Sequence, residues 1–301
     1  MRRWLAAASS ALAHVADRPT LWVPGALAWV ASVGWMPFVA AVARVPTQSE
    51  LTYFGAGMQT SGLWPLNLVL IAAGAVAVAT LGVGLVAVGN AALDALLGDR
   101  PFAPADAGRR FVTSFIGALP VALVVFVLLI ATIAVAPAEF NRPQGDPGPV
   151  LRTLGRLMPL LVLGAVVVVS SAALAGLAGR AAIEAGSVAG GLACLPSMIR
   201  RAGSPGAVHT AVTAVVGIVF LVLSGILVHV LWAPIGAGLV AGGEIDATGG
   251  LLLVGFVAIW LCLVLAGGAL HAWGSATWSA LLHQRAMAAP PGRSQEAPID
   301  R

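Results

Sequence analysis

Polar residues recur at matching places in three related heptapeptides of the sequence. The heptapeptides are GNAALDA at 89–95, GRAAIEA at 179–185 and GSATWSA at 274–280. Their second and sixth positions are Asn90 and Asp94, Arg180 and Glu184, and Ser275 and Ser279. Because residues four apart share one face of a helix, each heptapeptide presents a polar pair. We expect these six side chains to form a polar collar, with Arg180 between Asp94 and Glu184.

The depth of this collar decides between a ligand site and a structural role. Asn90 comes 24 residues after Leu66, where a long apolar stretch begins. That is about 36 Å of helix, which is longer than the bilayer hydrocarbon of about 30 Å. Charges at this level can reach headgroups or water, so they avoid the cost of a charge inside the membrane. An ion-pair collar that fixes the helix ends is therefore favoured over a ligand site.

Catalytic and metal-binding signatures do not emerge from the sequence. No G-x-S-x-G, H-E-x-x-H, P-loop or dinucleotide motif occurs. Cys194 and Cys262 are far apart in apolar surroundings, so we interpret them as small core residues. His229 and His271 fall near opposite ends of their spans and are interpreted as packing or interfacial residues. We expect no catalytic residues, no cofactor and no metal site.

The composition is that of an integral membrane protein. Of the 301 residues, 59% are hydrophobic and 9% are charged, whereas about a quarter of the residues of a soluble domain are charged. The mean hydropathy is +0.96. The net charge of +4 comes from Arg residues scattered beside apolar runs rather than from a basic patch, which argues against nucleic-acid binding.

Six apolar stretches are long enough to cross a bilayer as helices. They are 20–43, 66–89, 111–136, 158–179, 207–236 and 250–270. We predict an all-α polytopic membrane protein with short interfacial helices on its cytoplasmic face. A single domain would cover 1–284, followed by a disordered cytoplasmic tail at 285–301.

The distribution of arginine predicts the orientation of the chain. If the N-terminus is cytoplasmic, twelve Arg residues fall inside and four fall outside, which favours cytoplasmic placement of both termini. The four outer residues are Arg44, Arg142, Arg152 and Arg156. All basic residues are Arg, and Ala, Gly and Val dominate, as in proteins of high-GC bacteria. The expected location is the bacterial plasma membrane.

The first 16 residues permit two interpretations. Arg2, Arg3, a short apolar stretch and an A-x-A sequence at 11–13 imitate a secretory signal. However, the apolar part is short, and Trp4, Leu5, Ala8, Leu12 and Val15 fall on one helical face. We favour an uncleaved helix that lies on the inner leaflet.

The heptapeptides and three prolines indicate a threefold internal repeat. The heptapeptides are offset by 90 and 95 residues, and Pro37, Pro137 and Pro234, near the outer ends of the odd spans, are offset by 100 and 97. Two marker sets with nearly the same period predict three pseudo-repeated hairpins, at 1–97, 98–186 and 187–284. The alternative is chance similarity between Ala-rich and Gly-rich helices.

The predicted span centres contain no Asp, Glu or Arg. This argues against an ion-coupled pump, which needs an ionisable relay within the membrane. We expect a non-enzymatic protein that binds or moves a lipid-like or small amphipathic solute, or that supports a membrane complex. Its expected partners are membrane lipids, with a membrane-protein partner or a second copy of the chain as further candidates. The alternatives are a permease with a path along a pseudo-threefold axis and, less favoured, an intramembrane enzyme.

The ends of the even spans carry a further pattern. Each is followed by an amphipathic segment that bears Arg, as in ALDALLGDRPFAPADAGRRF and AAIEAGSVAGGLACLPSMIRR. In this hydropathy and spacing the chain resembles the bacterial membrane domains that precede some glycerophosphodiester phosphodiesterases, and their stand-alone six-span relatives. Only about twenty polar residues follow the last span, so the resemblance implies a six-span fold and carries over no catalytic residue.

Overall fold

The computed structural model describes residues 2–43, 48–142, 148–240 and 247–288. Within these ranges the chain is helical and contains no strand. Six helical stretches are long and apolar enough to cross a membrane, so the predicted all-α, six-span fold class is confirmed.

The helices are numbered in chain order. They are α1 (Arg2–Asp17), α2 (Trp22–Trp29), α3 (Trp35–Val42), α4 (Gln48–Thr60), α5 (Leu66–Leu97), α6 (Pro104–Phe140), α7 (Pro149–Glu184), α8 (Val188–Val240) and α9 (Ala247–Ala288). A short 3₁₀ turn, Pro19–Leu21, precedes α2, and a π-helical segment, Val30–Gly34, joins α2 to α3. The first candidate span, Pro19–Val42, therefore combines four short helical pieces.

Most of the helices extend beyond the apolar stretches that predict them. The span predicted at 66–89 continues to Leu97, and the span predicted at 158–179 begins at Pro149 and ends at Glu184. Proline suits the first helical position because that residue needs no backbone N–H donor. Pro104 begins the helix that has Asp106 in its first turn, and this helix runs without interruption into the third span.

Two local features of the helices did not follow from the hydropathy. The segment between the first two spans contains α4. Within α8, Gly203 has non-helical angles, with φ 55° and ψ −151°, and separates an initial segment from the fifth span. A positive φ is a conformation that glycine adopts without the steric cost that other residues incur.

The chain divides into two compact units. Unit 1 contains the described parts of Met1–Ala107 and Arg200–Arg301, and unit 2 contains Gly108–Ile199. The single domain and the three repeat units remain predictions. The helix α9 continues to Ala288, four residues into the segment predicted to be a disordered tail, and the rest of that tail lies outside the described residues.

In unit 1, α2 packs against both α5 and α9, and α1 packs against α9. One buried cluster joins α1 to the later part of α9 and includes Val15, Leu21, Leu93 and Ala272. A second cluster joins Ala41 of α3 to Val228 and Ile235 of α8 and to Phe256 of α9. The first cluster brings α1, the end of α5 and the later part of α9 to one end of unit 1, which we call the α1 end.

In unit 2, α6 and α7 form an antiparallel hairpin with close glycine contacts. A Cβ at Gly117 would lie 2.6 Å from Cβ of Ala175, and one at Gly164 would lie 2.9 Å from Val124. Nη1 of the buried Arg110 donates to the Gly176 carbonyl at 2.7 Å. Small residues let membrane helices approach in this way.

The interpretation of both cysteines as core residues is wrong. Cys194 and Cys262 are exposed. In a chain with six apolar spans, apolar side chains also cover the surface that faces lipid, so apolar surroundings in the sequence do not predict burial.

Candidate functional site

The structure divides the six residues of the predicted collar between the two units. Asn90, Asp94, Ser275 and Ser279 lie in unit 1, whereas Arg180 and Glu184 lie in unit 2. Ser279 donates its hydroxyl to the Ser275 carbonyl at 3.2 Å, within its own helix. Arg180 is partly buried, and Glu184 is the exposed last residue of α7. The placement of Arg180 between Asp94 and Glu184 remains a prediction.

Asn90 has a partner outside the predicted collar. Its Oδ1 lies 2.9 Å from Nε2 of His271, which joins the end of α5 to α9. With the amide oxygen as acceptor, Nε2 of His271 carries the proton and donates it. The interpretation of His271 as a packing residue agrees with this contact.

Glycine contacts with α2 bring Asn90 and His271 together. A Cβ at Gly89 of α5 would lie 2.7 Å from the Pro24 carbonyl oxygen, and one at Gly268 of α9 would lie 2.6 Å from the Ala26 backbone nitrogen. A Cβ at Gly25 would overlap the backbone of Gly268. Because only hydrogen fits at these positions, α2 lies close against both neighbours, and their polar residues come within hydrogen-bond distance of each other.

His209 is the centre of a second buried contact at the α1 end. Its side chain is fully buried, and Trp4 Nε1 lies 3.4 Å from its Nδ1. An indole N–H can only donate, so Nδ1 accepts and the proton of the neutral ring lies on Nε2, 3.0 Å from the Gly274 carbonyl. The rings of Trp273 and Trp278 lie edge-on to His209 at 5.9 and 5.2 Å. His209 therefore connects α1 to α8 and α9.

Two more indole groups attach α1 to the spans. Trp22 Nε1 donates to the Val15 carbonyl at 2.9 Å, and Trp273 Nε1 donates to the Ala8 carbonyl at 3.0 Å. These hydrogen bonds give both tryptophans a role in packing α1 against the spans.

The α1 helix buries only part of the apolar face that its sequence predicts, including Ala8 and Val15. A helix is predicted in the first 16 residues, and the observed helix is Arg2–Asp17, with Ala7, Ala8, Ala11 and Val15 as its buried side chains. Leu5 and Leu12, which belong to the predicted apolar face, are 51% and 60% exposed. Small residues pack against the spans because they let α1 approach closely, and this leaves the leucines beside the contact.

An apolar groove of about 540 Å³ lies between α1 and α9 as a consequence. We call it the α1/α9 groove. Its lining is Leu5, Ala8, Ser9, Leu12, Val15, Ala16, Trp22, Ala269, Leu270 and Trp273. The indole N–H groups of Trp22 and Trp273 are already bonded to α1, so the groove presents an almost wholly apolar surface. Such a surface can hold a hydrocarbon chain.

The first glycine of each heptapeptide contacts the odd-numbered span that precedes it. The nearest contacts of a Cβ there would include Ala28 for Gly89, Arg110 for Gly179 and Thr213 for Gly274. A Cβ at Gly89 would lie 2.9 Å from Ala28, and one at Gly179 would lie 2.5 Å from Arg110, so both positions are tight. A Cβ at Gly274 would lie 3.6 Å from Thr213, which is an ordinary contact.

Comparison with known proteins adds no relative to this picture. The chain matches no protein-family model, and it has no significant match among curated proteins or solved structures. The resemblance to membrane domains of glycerophosphodiester phosphodiesterases therefore remains a prediction.

Proposed function

We propose that this chain is a non-enzymatic protein of the bacterial plasma membrane that binds an acyl chain of an inner-leaflet phospholipid in the α1/α9 groove. The observation that carries the proposal is the groove itself, which is lined by apolar side chains of a surface helix and of the last span.

The size and position of the groove suit an acyl chain. Small-molecule sites commonly enclose about 300 to 1,000 Å³, and the groove, at about 540 Å³, falls in this range. Leu270 is the last residue of the predicted sixth span and Trp273 follows it, so the proposed topology puts the groove where hydrocarbon gives way to headgroups. An empty apolar groove there would face water, and each methylene group that displaces water contributes about 0.8 kcal/mol.

The charges of α1 favour an anionic headgroup. Arg2 and Arg3 are exposed near the start of the helix. Arg18, directly after the helix, forms a 2.8 Å ion pair with Asp99, which offsets its charge, so the attraction rests on Arg2 and Arg3. Each basic residue near an anionic leaflet contributes about 1 kcal/mol of attraction. Together with the arginine bias of the sequence, this supports a cytoplasmic position for α1 and for the end of α9 beside it.

The polar groups at the α1 end support a non-catalytic role. Both ring nitrogens of the buried His209 have a partner. A general base needs a nitrogen that can take a proton from a substrate. His209 instead uses both nitrogens to join α1 and α9 to α8.

The contacts of the heptapeptide glycines support the proposed threefold repeat. In each predicted hairpin this glycine lies against the preceding odd span, at Ala28, Arg110 and Thr213. The sequence distances between the partners are 61, 69 and 61 residues, from 89 − 28, 179 − 110 and 274 − 213. A shared ancestral hairpin would give such a pattern.

A pair of serine variants tests lipid binding. Ser9 and Ser10 are both exposed on α1, but only Ser9 lines the groove. The protein is placed in vesicles that contain phosphatidylglycerol with a diazirine in one acyl chain, and the photo-labelled peptides are quantified by mass spectrometry. In Ser9→Trp the indole fills the groove, so the acyl chain loses the contacts of about two methylene groups. Labelling of α1 and α9, measured relative to labelling of lipid-facing α6, should therefore fall about tenfold.

The matched variant Ser10→Trp adds the same side chain outside the groove and should label like the wild type. If α1 and α9 are labelled equally in the two variants, and no more strongly than α6 is labelled in the wild type, the groove holds no lipid chain.

A further inference from the structure

A buried carboxylate gathers three guanidinium groups in unit 2, at the end of the hairpin where α6 ends and α7 begins. Glu139 is fully buried. Its Oε1 lies 2.8 Å from Arg156 Nε, and its Oε2 lies 3.2 Å from Arg152 Nε and 3.5 Å from Arg142 Nη1. Arg152 Nη2 also donates to the Glu139 backbone carbonyl at 3.0 Å. We call these four residues the Arg–Glu cluster.

The Arg–Glu cluster carries more positive than negative charge. Three guanidinium groups surround one carboxylate, which leaves a charge of +2. Asp146, whose position lies outside the described residues, is the one other acidic residue between 137 and 157, and counting it still leaves +1. The cluster therefore attracts an anion rather than neutralising itself.

The exposed part of the cluster keeps donors for such an anion. The side chains of Arg142 and Arg156 are 55% and 49% exposed. Arg156 contacts the carboxylate through Nε, and Arg142 contacts it through Nη1. Within the described part of the chain, this leaves the two Nη groups of Arg156 and the Nη2 and Nε groups of Arg142 for an anion. A guanidinium group presents five N–H donors in a planar fork that matches the oxygens of phosphate.

The length of α6 suits a position of the cluster at the level of the phosphate groups of a bilayer. Glu139 follows Arg110 by 29 residues along the same helix, which corresponds to about 44 Å. A bilayer with its headgroup regions is about 40 to 45 Å thick. If the helix spans the membrane, its two ends lie in opposite headgroup regions.

We propose that the Arg–Glu cluster is a phosphate-binding site in which Arg142 and Arg156 contact the phosphate oxygens. Glu139 and Arg152 are positioning residues, because the buried carboxylate holds together guanidinium groups that would otherwise repel one another. The ligand is a phosphate oxyanion, supplied either by the headgroup of an anionic phospholipid or by free phosphate.

Binding to the full-length protein in a non-ionic detergent distinguishes the two sources. One titration uses inorganic phosphate, and the other uses short-chain dihexanoyl-phosphatidylglycerol, each followed by calorimetry at low and high salt. Saturable binding in either titration, weakened by salt, supports the site, and binding of the lipid alone identifies the headgroup as the source. Binding in neither would overturn the proposal.

Arginine variants assign the binding to the cluster. Arg142→Gln with Arg156→Gln should weaken binding by about tenfold or more, because charge-assisted hydrogen bonds are lost. Arg200→Gln with Arg201→Gln removes the same charge from two exposed residues of unit 1 and should leave the affinity unchanged. An equal loss in both double variants would show a general charge effect and contradict a specific site.

Glu139→Gln separates positioning from simple attraction. This variant raises the local positive charge, so an anion attracted by net charge alone would bind more strongly. The proposed site predicts weaker binding instead, because the guanidinium groups separate without the carboxylate. If Glu139→Gln does not fold, Arg142→Gln alone tests the contact, since a half-exposed side chain can be replaced without loss of the fold.

Discussion

The α1 end of unit 1 and the Arg–Glu cluster of unit 2 use polar residues in opposite ways. At the α1 end, neutral groups bond to one another or to backbone carbonyls, as His209 and the indoles of Trp4, Trp22 and Trp273 do. In the cluster, three cations share one buried carboxylate, and two of them remain about half exposed.

This difference shows what each region has left for a ligand. Where hydrogen bonds are used within the protein, as at the α1 end, the remaining surface of the α1/α9 groove is almost wholly apolar, which supports the proposed binding of a hydrocarbon chain. Where cations outnumber acids, as among the described residues of the Arg–Glu cluster, half-exposed guanidinium groups support the proposed binding of an anion. The three predictions below test this contrast, beginning with the largest expected effect.

The glycine packing of α2 should be the most sensitive feature of unit 1. In Gly268→Leu the new side chain would overlap the backbone of α2 at Trp22 and Ala26. Since backbone cannot move aside as a side chain can, we expect a loss of about 3 kcal/mol or more in the free energy of unfolding. Titration with sodium dodecyl sulfate measures it.

Gly255→Leu is the matched control on the same helix, because nothing lies within 4 Å of a Cβ there. Its free energy of unfolding should change by less than about 0.5 kcal/mol. Similar values for the two variants would contradict tight glycine packing of α2 against α9.

Replacement of His209 should release α1. His209→Ala removes the partner of Trp4 and of the Gly274 carbonyl and leaves a cavity, so we expect a loss of about 2 to 3 kcal/mol. Trypsin should then cleave faster after Arg3, which precedes Trp4 in α1. The control variant His229→Ala, at an exposed position of the same helix as His209, should be cleaved by trypsin at the same rate as the wild type. Unchanged cleavage in His209→Ala would show that this contact does not hold α1.

The carboxylate of the Arg–Glu cluster should have a smaller effect on stability. Glu139→Gln breaks three ion pairs, but the arginines are 19% to 55% exposed and can turn to water, so we expect a loss of about 1 to 2 kcal/mol. Glu184→Gln, at the exposed end of α7, should change the free energy of unfolding by less than about 0.5 kcal/mol. A larger loss in Glu184→Gln would restore the predicted collar as the main ionic feature of unit 2.

Hydropathy predicts the six spans well because each apolar run is long enough to specify one helix. It does not predict where the helices end, since helical residues continue into polar segments, as from Gly89 to Leu97 in α5. It also does not predict α4, whose sequence QSELTYFGAGMQT has no apolar run of that length.

The site at the α1 end could be predicted only in part. The helical face of α1 is visible in the sequence, but its burial depends on which residues let it approach α9, and alanines are favoured there over leucines. The partnership of Trp4 and His209 joins residues 205 apart, and no periodicity connects such positions. His271 and Asn90 are likewise 181 residues apart.

The distribution of arginine in the sequence contains a signal of the Arg–Glu cluster. Arg142, Arg152 and Arg156 are three of the four arginines on the predicted outer side, where the positive-inside bias disfavours them. Charges that oppose this bias need a local reason, and buried Glu139 provides one. Counting the exceptions to the bias, rather than only its direction, would have pointed to this region.

The occupant of the α1/α9 groove is the central claim, and a structure in phosphatidylglycerol nanodiscs tests it most directly. Electron cryomicroscopy should show continuous tubular density between Leu12 and Leu270 in the wild type and in Ser10→Trp, and none in Ser9→Trp. An empty groove in the wild type, or density that persists in Ser9→Trp, would contradict the account.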